Sequence, residues 1–408
     1  RDPLWSRGLG DVYKRQERTI KFLLWMKGGS RLLLAGEDDI VNYLSKTYSE
    51  SGPRSFDREM IGQGIFDEPI TVTACSREEL PSGSEENISL GRNLNGYRIG
   101  FDLGGSDRKA AALIDGKVVF SEEIPWDPYF QSDPQYHLEG IRHSLRRAAA
   151  HLPRVDAIGG SAAGDYINNE VRFASLFRVI KDPEVFERDV RPIFNNLRKE
   201  WGDIPFVVIN DGEVTALAGS MSLGANAVLG ISMGTSLAAG YCTPGGRITP
   251  WINELAFAPV DYRDNGPRDE WSGDSGCGVQ YFSQQAVARL APAAGFDFSG
   301  MAFPEQLVEV QKAMKQGHPG ARQIYQSIGS YLGYTIAHYA DFYRIENLLV
   351  LGRVTSGQGG EIILEKDNDV LRDYFPYLAD QITMTTPDEK MKRHGQAVAA
   401  ASLPVFSP

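Results

Sequence analysis

Two glycine turns carry the residues best suited to gripping a phosphate. In Ile99–Ile114, small and apolar residues lead up to Gly104 and Gly105, a polar cluster containing Ser106 and Lys109 follows, and a second apolar run leads away. That order reads as strand, tight turn, strand. Without Cβ atoms at 104 and 105, the turn can take positive φ and lay its amides against an anion. Asp102, two residues before the turn, is where a carboxylate could hold water on a phosphate-bound cation. Val228–Tyr241 repeats the pattern, with Gly234, Thr235 and Ser236 at its turn. Either stretch alone also reads as a hairpin with no ligand. As a pair, about half a domain apart, they can close on a polyphosphate from both sides. No G-x-x-x-x-G-K-[S/T] run occurs, so a P-loop is excluded as the phosphate grip.

The surrounding elements must hold those turns. From Tyr97 onward strands and helices alternate, the signature of an α/β fold. A helix fits His137–His151, and a strand Val155–Gly160 runs into the turn Gly159–Gly164, which includes Gly160 and Ser161. A strand at Pro205–Ile209 leads into Asn210 and Asp211 and a small-residue helix at Val214–Ser220. Beyond the second hairpin, helices fit Val279–Leu290, Pro304–Lys315 and Ala321–Tyr343. Leu348–Val354 is a buried-strand run ending in the glycine-rich loop Thr355–Gly360, which contains Gly357. The last helix, Gly395–Leu403, is nearly all small residues and suits close packing between domains.

Ahead of Tyr97 the pattern is weaker. Ser6–Gln16 looks like a translated sequencing-library adapter, so residues 1–16 are expected to be an artefact and the natural chain to begin upstream of Glu17. Short strands are expected at Ile20–Met26 and Arg31–Leu34, a helix at Asp38–Tyr48 and a strand at Pro69–Ala74. Ser76–Asn87 is acidic and aperiodic, and reads as a linker or long loop.

At 408 residues the chain is long enough for two domains. A net charge of -11 disfavours nucleic acid or an anionic membrane as the main partner. The three cysteines are odd in number and far apart, which suits a reducing compartment and a cytoplasmic protein. Near the start, Phe22–Met26 and Leu32–Ala35 are too short to span a bilayer.

These pieces, in this order, resemble the sugar-kinase and actin-like ATPase superfamily, and within it the ROK (repressor, open reading frame, kinase) family. The resemblance covers Tyr97 to about Pro404. Ile99–Lys109 resembles the family's first phosphate motif, with Ser106 where threonine is usual. Leu229–Tyr241 resembles the second, and Val350–Gly360, with Gly352, the adenosine motif. Val208–Asp211 resembles the substrate motif in which the aspartate is the general base; Asp211 read by itself is equally a helix N-cap. Glu254–Asp261 resembles the segment whose glutamate contacts the sugar.

The departures concern metal and sugar. Family members usually carry zinc on one histidine and a C-x-C-G-x-x-G-C run. Here that run aligns with Glu270–Cys277, only the last cysteine remains, and Phe257 stands at the histidine position. One thiolate cannot build a four-coordinate zinc site, so no zinc is expected. A further substrate glutamate of the family is Val279 here.

The resemblance implies a two-domain α/β actin-like ATPase (ribonuclease H-like) fold with an interdomain nucleotide cleft. Its expected division is an N-terminal extension and linker at 17–96, one kinase domain at 97–208 joined by a helix at 394–404, and a second at 209–393. It also implies ATP-dependent phosphotransfer to a hydroxyl of a sugar or sugar-like substrate. Asp211 would be catalytic, and Asn210, Glu254, Gly160 and Ser161 would bind substrate. ATP and Mg2+ would be held by Asp102, Gly104, Gly105, Ser106, Lys109, Gly234, Thr235, Ser236, Gly352 and Gly357, with Asp102 on the cation. The partner would be a small molecule, with no nucleic acid and no membrane; a homodimer stays open. A sugar-responsive ROK regulator and a non-catalytic sugar-binding relative are the alternatives. Against the regulator, Glu17–Gly96 holds nine basic residues and thirteen acidic ones, the wrong balance for a phosphate backbone. It also offers one expected helix where a helix-turn-helix needs two.

Overall fold

The computed structural model describes residues 4–82, 90–386 and 395–407. The chain opens with α1 (Leu4–Lys27), β1 (Arg31–Leu34) and α2 (Asp38–Thr47), then a π-helical stretch at Arg58–Ile65 and β2 (Thr71–Ala74). β1 and β2 pair in parallel as a small sheet of their own. Next come β3 (Tyr97–Leu103), β4 (Asp107–Ile114), β5 (Lys117–Pro125), α3 (Pro134–Ala149) and β6 (Ala157–Ala162). A short hairpin, β7 (Asp165–Ile167) and β8 (Glu170–Phe173), is followed by α4 (Ile193–Glu200), β9 (Phe206–Asn210) and α5 (Asp211–Leu223). The remainder is β10 (Val228–Met233), β11 (Leu237–Cys242), α6 (Gln284–Leu290), α7 (Phe303–Lys315), α8 (Pro319–Tyr339), β12 (Asn347–Leu351), α9 (Gln358–Tyr374), β13 (Thr383–Thr385) and α10 (Gln396–Ala401).

Two sheets organise the chain. In the first, of order β5-β4-β3-β6-β9, the β3–β4–β5 meander is antiparallel while β3, β6 and β9 run parallel. The second, β11-β10-β12-β13, repeats the scheme with an antiparallel β10–β11 hairpin and parallel β10, β12 and β13. Both glycine-turn hairpins therefore form as expected, and each begins the sheet of its own lobe. α10 wedges between the first sheet and α5. Its backbone lies so close that a Cβ on Gly100 would fall 1.8 Å from the Ala397 carbonyl, and one on Gly159 1.7 Å from that of Ala400. The missing Cβ atoms of Gly100 and Gly159 permit this approach to the small-residue helix, for which close packing between domains was the expectation.

The segment Ile20–Met26 is helix, not strand. The apolar run Phe22–Met26 within it is too short for periodicity alone to tell a strand from a buried helix. Arg18, Lys21, Phe22, Trp25 and Met26 all lie on the buried side of α1. Phe22, Trp25, Leu44, Ile61 and Ile65 join one core with Leu229, Ile231 and Leu255 of the second lobe. Fully burying side chains such as Phe22 contributes roughly 1.5–3 kcal/mol each. Residues 17–74 are thus built into that lobe, and contain α1, α2 and the π-helical stretch rather than one helix. α1 also continues through the adapter-like residues, where Tyr13 stacks on Tyr43 at 5.7 Å and Lys14 pairs with Asp264. Of the expected linker, residues 83–87 lie outside the described residues; its start forms a turn of 3-10 helix at Arg77–Glu79. Residues 358–360, expected in the glycine-rich loop, are instead the first turn of α9.

Candidate active site

Three parallel strands of the first sheet end side by side. Register sets Asp102 beside Ser161, and Ala162 beside Asn210. The carboxyl ends of parallel strands are where open α/β sheets bind ligands. Asp102 is buried; it accepts a 2.7 Å hydrogen bond from the Ser161 hydroxyl and lies 3.5 Å from the Lys109 ammonium. Burial raises its carboxyl above the usual range, and Lys109 and Ser161 pull it partly back. Burial alone would lower Lys109, but Asp102 and Asp107 raise it on balance, so it stays charged.

Asn210, rather than Asp211, is the N-cap of α5. Its side-chain oxygen accepts from the Gly212 amide at 2.7 Å, and its amide nitrogen donates to the Gly164 carbonyl at 2.9 Å. Asp211 is left free in the first turn. Burial, with Asp102 nearby, lifts its carboxyl to about 6, while the amides of Asp211 and Gly212 oppose the shift. Asn253 precedes Glu254 and is held on three sides. Its amide donates to the Met26 carbonyl at 2.9 Å, its side chain donates to Glu213, and it accepts from the Tyr343 hydroxyl at 2.6 Å. The end of α1 therefore helps to position Glu254. Glu213 is itself buried and lifted to about 8 by desolvation.

A cavity of about 570 Å³ lies between the lobes. Its walls include Gly164, Asp165, Asn210 and Asp211 on one side, and Gly234, Thr235, Ser236 and Glu254 on the other. Tyr129, Trp25, Met60, Ile65, Phe257 and Trp271 complete it with apolar and aromatic surface. A smaller cavity of about 390 Å³ meets it at Asp165 and Asn210. Gly352 abuts the second turn so tightly that a Cβ would fall 2.5 Å from the Met233 carbonyl; Gly357 is the N-cap of α9.

Not every expected residue reaches the cavity. Gly160 packs on the Phe101 ring, where a Cβ would fall 2.2 Å from Cζ, and Ser161 is fully buried on Asp102. Neither lines the cavity; Gly164 and Asp165 do, because β6 runs on through Ala162 before the chain turns. Asp102, Gly104, Gly105, Ser106, Lys109, Gly352 and Gly357 do not line this cavity either, and Asp102 acts on it through the charge of Asp211. Sequence reading missed Asp165 and Glu213. An acid directly after Ala-Ala-Gly at a strand end, and a second acid two residues past Asp211, were the available signals.

The region that aligns with the family's zinc run is filled by protein. Phe257 lies 4.6 Å from Trp25 and 5.3 Å from Phe56. Beside it, Lys21 lies 3.0 Å from both Asp57 and Asp274, while Arg18 and Arg54 reach Asp274 at 2.5 and 2.7 Å. Cys277 is a buried thiol raised to about 11 by desolvation, 3.8 Å from the Ser272 hydroxyl. Among the described residues no group of three His, Cys, Asp or Glu is placed to hold a metal ion. Purified protein is expected to hold well under one zinc per chain; elemental analysis finding about one after mild chelation would overturn this.

No protein-family model and no curated protein matches the sequence. Solved structures do. A ROK hexokinase from Thermus thermophilus aligns at TM-score 0.58 and 19% identity, over 75% of this chain and 96% of that one. A ROK family glucokinase from Streptomyces griseus, in complex with glucose and AMPPNP, aligns at 0.52 and 21%, over 75% and 98%. A ROK family transcriptional regulator, a homologue of the E. coli MLC protein, aligns at 0.56 and 21%, over 76% and 79%. No helix among the described residues is long and apolar enough to cross a membrane. The chain has the two-domain α/β fold shared by the ROK kinases and ROK regulators.

Proposed function

We propose that the chain is an ATP-dependent kinase acting on a hydroxyl of a sugar-like substrate, with Asp211 as general base. The observation that carries this is Asp211 itself: a half-buried carboxylate, free of capping duty, in the wall of the cavity that the Gly234–Ser236 turn also lines. The residues present fit MgATP. The exposed hydroxyls of Thr235 and Ser236 and the close approach of Gly352 to Met233 suit a phosphate chain, and hard carboxylate oxygen at Asp102 suits a hydrated cation. When bound, MgATP supplies the transferred phosphoryl group.

Asn210 and Glu254 orient the substrate hydroxyl, and Asp211 takes its proton as the new O–P bond forms and the bond to the ADP oxygen breaks. An acid lifted to about 6 is ionised at neutral pH, yet basic enough to receive that proton. A sugar-sensing regulator is the second reading, favoured by the regulator structure that shares the fold. Against it, Arg18, Lys21 and Arg54 of the extension are buried in ion pairs rather than presented to a phosphate backbone.

A thermal-shift screen of MgATP and sugars, followed by ADP-release assays on each hit, tests the proposal. Kinase activity requires ADP release that depends on the sugar; sugar binding with no turnover favours the regulator.

A further inference from the structure

The cavity is lined by more acids than the proposed chemistry uses. Asp165, Asp211, Glu254, Asp269 and Glu270 line it, and no Lys, Arg or His does among the described residues. Asp269 is engaged locally, accepting from the amide and hydroxyl of Ser272 at 2.7 and 2.8 Å. Asp165 is not. It is 7% exposed, and among the described residues its carboxylate has neither a hydrogen-bond nor an ion-pair partner. Glu254 is half-buried; among the described residues its carboxylate also has no hydrogen-bond or ion-pair partner, and burial with the carboxylates of Asp165, Asp211 and Glu213 pushes it well above the usual range. A buried carboxylate without a partner is costly, and costlier beside others.

We infer that the substrate is an amino sugar whose ammonium group binds between Asp165 and Glu254, with its ring against the aromatic wall of Trp25, Phe257 and Trp271. Burial lifts both carboxyls above the usual range, toward the neutral form; an ammonium group would hold them ionised, which sugar hydroxyls could not do. A metal ion is a poorer occupant, since no three ligating side chains among the described residues are grouped for one. The aromatic wall favours an organic occupant, because its rings can bury the apolar face of a sugar. The Trp25 and Phe257 ring centres lie 4.6 Å apart, and the Phe257 and Trp271 rings stack nearly parallel, at 9° with centres 6.2 Å apart. Trp25 comes from α1, so the extension shares in selecting the substrate.

The inference rests on the kinase reading for turnover but not for binding, and the two can fail separately. ADP release with MgATP at pH 7 should be compared across glucosamine, N-acetylglucosamine and glucose, and across the galacto and manno equivalents. At least one free amine is expected to exceed both of its neutral partners at least tenfold in kcat/KM. Asp165→Asn is expected to shrink that ratio to about twofold or less. The substitution keeps the side chain's size and removes an unpaired buried charge, so it should fold; a melting curve checks this, and Asp165→Ser serves if it does not. Calorimetry without nucleotide supplies the separate readout. Selective binding of a free amine without ADP release overturns the kinase reading alone. Turnover of neutral sugars in preference to amines, an equal effect of Asp165→Asn on all three sugars, or no binding of any free amine overturns the inference.

Discussion

Asp211→Asn is expected to fold, bind MgATP with near-native affinity, and lose about 10²–10⁴-fold of its phosphotransfer rate. That loss corresponds to roughly 3–5 kcal/mol of barrier. Asparagine keeps the size of the side chain but cannot take a proton. Because Asn210 rather than Asp211 caps α5, the helix keeps its capping bond in the variant. The lifted carboxyl adds a pH signature. Below about 6 the acid is protonated and cannot act as base, so the parent's rate should climb as pH rises through that value and then level off. Stability should move the other way. A carboxyl whose folded-state pKa is raised contributes stability that is lost as pH rises through that pKa. At pH 8 the variant should therefore melt no lower than the parent. Asp102→Asn should differ, weakening Mg-dependent nucleotide binding because its charge is assigned to the cation. An Asp211→Asn protein that folds and turns over at the parental rate would remove Asp211 from the mechanism.

Asp274→Asn is expected to cost about 3–5 kcal/mol, the usual effect of breaking a buried ion pair from one side. The carboxylate sits among Arg18, Lys21 and Arg54, and these cations hold its pKa far below the usual range although burial opposes them. Removing its charge leaves three cations facing Glu17 and Asp57 alone. The expected fall in Tm is on the order of 10 °C. The sign with pH follows from the depressed pKa: this stability is present above the ordinary aspartate range and is lost only in strong acid. Pairing the change with Lys21→Met restores the charge balance, so the double variant should be less destabilised than the sum of the singles. An unchanged Tm in Asp274→Asn would mean that the ion cluster does not anchor α1 to the second lobe.

Local pattern was enough for the two glycine hairpins, the parallel strands ending at Asp102 and Asn210-Asp211, and the alanine-rich last helix. Each is encoded by alternation, turn residues or small side chains within about a dozen positions, and that short range is what a sequence displays. Partners far apart in the chain were not legible. Arg18 meets Asp274 across 256 positions, and Met26 holds the residue before Glu254, because the axis of α1 lies along the second lobe. Nothing in Ile20–Met26 distinguishes strand from helix until Lys21 finds acids to bury against. Asp165 falls just past the expected turn Gly159–Gly164 and becomes an unpaired cavity acid only when β7 sets it near Glu254. Which face of each segment is buried, and therefore which charges must find one another, is a property of the packed lobes: desolvation acts on neighbours in space, whatever their separation along the chain.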